Sequence, residues 1–161
     1  MKLAEALALR ADLQRRIEQL RSRIVQNARY QEGEPPAEDA TALLAEAERC
    51  VERLRLLISA INTTNAAIDL GTDGTMTEAL AARDTLRLQH SVLTAAADAA
   101  SPASFRQMRS ELRQIAAFDV AVVRTRADDV ARRLRELDGR IQQANWLNDL
   151  RDEAGAISQE E

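Results

Sequence analysis

Residues 77–90 read TEALAARDTLRLQH and hold the one histidine of the chain, His90. Histidine titrates near neutral pH and can shuttle a proton, and beside guanidinium groups it can help to hold a carboxylate or phosphate. Arg83 precedes His90 by seven residues, two turns of a helix, and Arg87 falls in the same arc of an ideal wheel. Glu78 adds a carboxylate to the same stretch. This set suits the binding of a small anion or metal, or proton transfer. No fuller catalytic template accompanies it. A di-iron bundle needs Glu-x-x-His from two helices, which one histidine cannot furnish. The chain has no H-E-x-x-H, no P-loop and no G-x-G-x-x-G after a strand. Cys50, the single cysteine, excludes a disulfide framework and a cysteine metal cluster, and its place on the apolar side of a helix marks an inert thiol. No catalytic residue, cofactor or metal is assigned from the sequence, and the reading leans away from an enzyme.

The elements that must position these residues are long helices. Leu3, Ala6, Arg10, Leu13, Ile17, Leu20, Ile24 and Asn27 alternate by three and four residues, an unbroken heptad seam. The stretch QEGEPP (31–36) ends this helix, and Pro35–Pro36 can open the next. Leu44, Ala47, Val51, Leu54, Ile58, Ile61, Asn65 and Ile68 repeat the seam, widened by Leu43, Cys50 and Leu57. The short link predicts an antiparallel hairpin, each helix about 40 Å long at ~1.5 Å per residue. After GTDGT (71–75), Thr75 and Glu78 form a capping box, so a third helix starts at Met76. Its apolar side carries Met76, Ala79, Leu80, Leu86, Leu93 and Ala97 together with Arg83 and His90, while Leu88 and Val92 point elsewhere. Asp119 is a candidate cap for a fourth helix with Val123, Ala127, Val130, Leu134, Leu137, Ile141, Ala144 and Asn148 along one side. The predicted helices cover about 2–30, 37–70, 76–100 and 119–149 in one domain, residues 1–150. Residues 103–118 have no clear pattern, and 151–161 read as a frayed polar tail.

Such helices predict an all-α fold: long antiparallel hairpins forming an up-down four-helix bundle, or an extended hairpin that completes its core with a second subunit. In an up-down arrangement Arg10, Asn62, Asn65, Glu78, Arg83, Arg87, His90, Asn145 and Asn148 gather towards one end. The reading preferred for that cluster is a closed polar layer that fixes helix register, as a seam asparagine does in coiled coils. A ligand-binding or enzymatic site there is the alternative. Trp146, beside Asn145, reads as a packing residue.

Composition bounds the rest. The net charge is −4 from 22 basic and 26 acidic residues, well interspersed, which gives no electrostatic footprint for nucleic acid or anionic lipid. All basic residues except Lys2 are arginine, read as a genomic bias and not as phosphate recognition. No stretch approaches the ~20 apolar residues that span a bilayer. The N-terminal run is broken by Glu5 and Arg10 and lacks the core of a signal peptide, so the expected location is the cytoplasm. The expected partner is a second copy of the chain, with neither membrane nor nucleic acid involved.

Three blocks carry a resemblance across nearly the whole chain: MKLAEALALRADLQRRIEQLRSRI, TEALAARDTLRLQH and ADDVARRLRELDGRIQQANWLNDL. Together they resemble an uncharacterised family of small bacterial helical proteins, some of whose members are labelled septicolysin. The resemblance implies a helical, oligomeric protein of unassigned biochemical function and brings no catalytic residues. It does not imply lysis here, since the sequence has no aromatic-rich amphipathic helix of the kind that lies in a bilayer interface.

Overall fold

Side-chain caps decide where the helices begin. Asp39 Oδ1 accepts from the backbone N–H groups of Thr41 at 2.8 Å and Ala42 at 3.2 Å. Asp119 Oδ1 does the same for Ala121 at 2.9 Å and Val122 at 3.3 Å. Both satisfy N–H groups that a first helical turn leaves without partners. The helices are α1 (Leu3–Asn27), α2 (Ala40–Ala67), α3 (Met76–Ala99) and α4 (Val120–Leu147), with a 3₁₀ turn at Gly71–Asp73. The computed structural model describes residues 1–101 and 114–151. Among these residues there is no strand, only two isolated bridges, and the fold is all-α. Of the stretch 103–118, residues 114–118 are described and are not helical; the remainder, like the expected tail after Arg151, lies outside the described residues.

Three boundaries differ from the sequence reading: α2 ends at Ala67 and not at 70, and the other two differ for local reasons. α2 starts at Ala40 and not at 37, because Asp39 supplies the cap. α1 stops at Asn27 and not near Tyr30. The Asn27 amide donates to Arg23 O at 2.9 Å and its oxygen accepts from Glu38 N at 3.1 Å, which turns the chain.

Packing groups the chain into two compact units: Met1–Ile68 with the chain from Ala144 onward, and Asp69–Gln143. In the first, α1 and α2 form the expected hairpin. Arg16 Nε donates to Glu46 and Arg23 Nε to Glu38, each at 3.0 Å, across the two helices. These pairs set an antiparallel register that brings Leu20 level with Leu43, Leu13 with Cys50 and Ala6 with Leu57. Leu3, Leu20 and Leu57 are fully buried; each contributes about 2 kcal/mol on removal from water. Residues that follow α4 clasp this unit. Leu3 N donates to Asn148 O at 3.0 Å and Leu150 N to Met1 O at 2.9 Å. Lys2 Nζ lies 3.0 Å from Asp149, and Arg151 N donates to the buried Thr64 hydroxyl at 2.9 Å.

The α2 seam needs correction. Leu44, Val51 and Ile58, expected in the core, are 49%, 51% and 36% exposed. The expected Leu43, Leu57, Ile61 and Ile68 are buried and Cys50 is half-buried, with Thr64 the one buried residue of α2 that the seam did not include. Two neighbouring lines on α2 satisfy the same seven-residue spacing, and a single facing helix can cover only one of them. Trp146 is 62% exposed, so the packing role read from the sequence does not hold.

In the second unit, Met76, Ala79, Leu93 and Ala97 of α3 are buried, as are Ala127, Val130, Leu137 and Ile141 of α4. Leu93, Ala127 and Val130 form a cluster against which Leu86 and Val123 pack. The ion pairs Asp98–Arg124 and Arg83–Asp138 show that α3 and α4 run antiparallel. The 3₁₀ turn is tied to α4 by a fork in which Arg140 Nε and Nη2 meet the two Asp73 oxygens at 2.5 and 3.1 Å. Leu88 and Val92 point away from this core and are 67% and 60% exposed.

Candidate functional site

The residues of TEALAARDTLRLQH take separate roles once placed on α3. Glu78 closes the capping box: its Oε2 accepts from Thr75 N at 2.7 Å and Thr75 Oγ1 at 2.9 Å, and its own N–H donates to Thr75 Oγ1 at 3.3 Å. The Thr75 backbone N–H, aided by the hydroxyl, holds the Glu78 carboxyl below the ordinary glutamate range. Arg83 is only 21% exposed at its side chain and lies 3.1 Å from Asp84 and 3.9 Å from Asp138. Arg87 reaches the same two carboxylates at 3.6 and 3.7 Å. Two guanidiniums thus share two carboxylates, which leaves no uncompensated positive charge to draw an anion. Asp138 Oδ1 is buried and receives ionic contact without a hydrogen bond.

His90 sits elsewhere on the same helix. It is half-buried and lines a pocket of about 300 Å³ with Thr94, Ala97 and Asp98 of α3 and Arg124, Ala127 and Asp128 of α4. The α3 residues follow one another at four-, three- and one-residue steps, so they share one side of the helix. Across the pocket, Arg124 Nη2 approaches Asp98 Oδ1 at 3.4 Å. The lining mixes one imidazole, one guanidinium and two carboxylates, chemistry that suits a small zwitterion or amine more than a bare anion. Among the described residues no group of three His, Cys, Asp or Glu side chains is placed to hold a metal ion.

The remaining members of the expected layer belong to the first unit. Asn145 is buried, Arg10 and Asn65 are half-buried and Asn62 is exposed. Asn148 donates to Ala144 O at 2.9 Å, and its own carbonyl accepts from Leu3 N. The nine expected residues therefore divide five and four between the units. Sequence reading missed Asp98, Arg124, Asp128 and Asp138. For Arg124 and Asp128 the signal was present as charged residues four apart on α4, and Asp138, like them, follows an apolar position of the stripe. It missed Thr64 as well, whose hydroxyl gave no outward sign of its two bonds, one to Ala60 O at 2.7 Å and one from Arg151 N. Arg53 on α2 is half-buried, and its Nε is enclosed without a hydrogen bond.

A second candidate is a surface and not a pocket. Leu44, Val51 and Ile58 lie seven residues apart on α2, all exposed, so they form one line along the helix. Single exposed apolar residues are ordinary, and three at regular spacing make this line a candidate contact face. No helix among the described residues is long and apolar enough to cross a membrane.

The crystal structure of a functionally unknown conserved protein from Corynebacterium diphtheriae is similar to this chain. The TM-score is 0.89 at 36% identity, over 94% of this chain and 99% of that one. No curated protein sequence matches. A family model of unknown function, DUF6847, matches residues 10–150. These findings agree with the expected uncharacterised helical family and give no support to the septicolysin label. The chain belongs to the family of unknown function DUF6847.

Proposed function

We propose that the chain is a non-catalytic interaction module that works as a homo-oligomer. The observation that carries this reading is the row Leu44, Val51 and Ile58, left uncovered on α2 at heptad spacing. A hairpin whose second helix has two seven-residue lines, one buried and one open, is built to meet another helix. The charge balance of the two arginines with Asp84 and Asp138 supports a structural role for that part of the polar residues. Light scattering at micromolar concentration should give a mass that is a multiple of 17.8 kDa; a mass of one chain at every concentration up to the millimolar range rejects the reading.

The pocket beside His90 favours a second reading, the binding of a small polar ligand in the second unit. Its acidic and basic lining predicts that an amino acid with both charges perturbs the His90 ring more than inorganic phosphate does. NMR titration of the His90 Hε1 signal checks this, and an unmoved signal at tens of millimolar of either probe rejects it.

A further inference from the structure

The open row on α2 has a polar flank with a direction. Thr41, Glu48, Arg55 and Asn62 are themselves seven apart and lie next to Leu44, Val51 and Ile58 on the helix surface. All four are exposed. The acid stands on the N-terminal side of Val51 and the base on the C-terminal side. Glu48 has no ion pair or hydrogen bond among the described residues. Arg55 is held along the helix by Glu52, through Nε at 2.9 Å and Nη2 at 2.7 Å, which leaves Nη1 for a second carboxylate.

Resting on the self-associating reading above, we propose that this face docks onto the same face of a second copy, with the two α2 helices antiparallel about a two-fold axis at Val51. That axis sets Leu44 against Ile58 of the partner subunit and Val51 against Val51 of the partner subunit. It brings Glu48 to Arg55 of the partner subunit and Thr41 towards Asn62 of the partner subunit. A parallel pairing would instead oppose Glu48 to its own copy and Arg55 to its own copy, so the charges select the antiparallel form. An isologous contact of this kind closes on itself and yields a dimer, not a filament. The row extends over about 21 Å of helix at ~1.5 Å per residue, a short contact that suits a dimer of modest, concentration-dependent affinity. The chain after Arg151 is a weaker candidate occupant, because Ile157 is its one large apolar residue against three on the face.

Cysteine cross-linking reads the geometry directly. In a Cys50→Ala background, mild oxidation should link the Val51→Cys protein to itself. Leu44→Cys alone and Ile58→Cys alone should stay unlinked, and a mixture of those two should give the mixed dimer. Self-linking of all three variants overturns the antiparallel arrangement. If the unsubstituted chain is dimeric and Val51→Cys fails to link, this face is wrong although the oligomeric reading stands; a monomeric chain removes both. Glu48→Arg should raise the dimer dissociation constant at least tenfold, and Glu48→Arg with Arg55→Glu should recover most of that loss, with unchanged circular dichroism throughout. A charge swap that does not recover affinity rejects the Glu48–Arg55 contact.

Discussion

Leu57→Ala is expected to lower the unfolding free energy by about 3 kcal/mol, from lost transfer energy and the cavity left in a packed core. Leu57 is fully buried on the line of α2 that meets α1, level with Ala6. Ala6 is small and cannot extend to fill the space. The informative control is Leu44→Ala, the same substitution on the same helix at a position 49% exposed. In the monomer that change should cost less than about 0.5 kcal/mol. Urea denaturation followed by far-UV circular dichroism, at a concentration below any self-association, measures both. Equal losses at the two sites would mean that the buried and open lines of α2 have been exchanged.

Gly74→Ala is expected to cost about 3 kcal/mol through two separate effects, a forbidden backbone conformation and a lost cap. Gly74 has φ +75° and ψ −147°, a region open essentially to glycine alone. A Cβ at this position would also stand 2.4 Å from Glu78 Oε2. A glutamate side chain can ordinarily swing aside, but this one is held by Thr75 N–H and hydroxyl at the start of α3. Moving it releases both bonds. Gly33→Ala separates the two effects, since Gly33 has φ +92° with nothing within 4 Å of the added atom. It should cost about 1 kcal/mol. The Glu78 carboxyl is held below its ordinary value, so the cap is at full strength above about pH 4.5 and is lost as the pH falls below it.

Helix periodicity and caps were the legible part of the chain. The Thr75–Glu78 box and the Asp119 cap stand where their spacing put them, and the α1 stripe from Leu3 to Asn27 faces inward throughout. What spacing could not decide was which of two adjacent lines on α2 is covered. Leu43 and Leu44 obey the same seven-residue rule, and only the partner helix distinguishes them. The candidate site was half legible for a related reason. Arg83 and His90 do share one side of α3, but neighbours in three dimensions gave them different company: Asp84 and Asp138 for the first, Asp98, Arg124 and Asp128 around the pocket for the second. A helical wheel states direction and says nothing of the facing helix. Trp146 shows the converse error, in which an aromatic was given a packing role from its place beside the Asn145 seam position.

The clasp between Met1–Leu3 and Asn148–Leu150 makes the first unit discontinuous in the chain, with Asp69–Gln143 inserted between its two parts. On a ribosome, the α1–α2 hairpin therefore emerges long before the strand-like residues that close it. Bringing ends so far apart in sequence together costs about 4 kcal/mol of loop entropy by (3/2)RT ln n, and early collapse of the inserted unit shortens that loop. The order of synthesis and the order of completion are thus decoupled: the segment made first is finished last. Through that interval Thr64 lacks the Arg151 N–H and Leu3 lacks the Asn148 carbonyl.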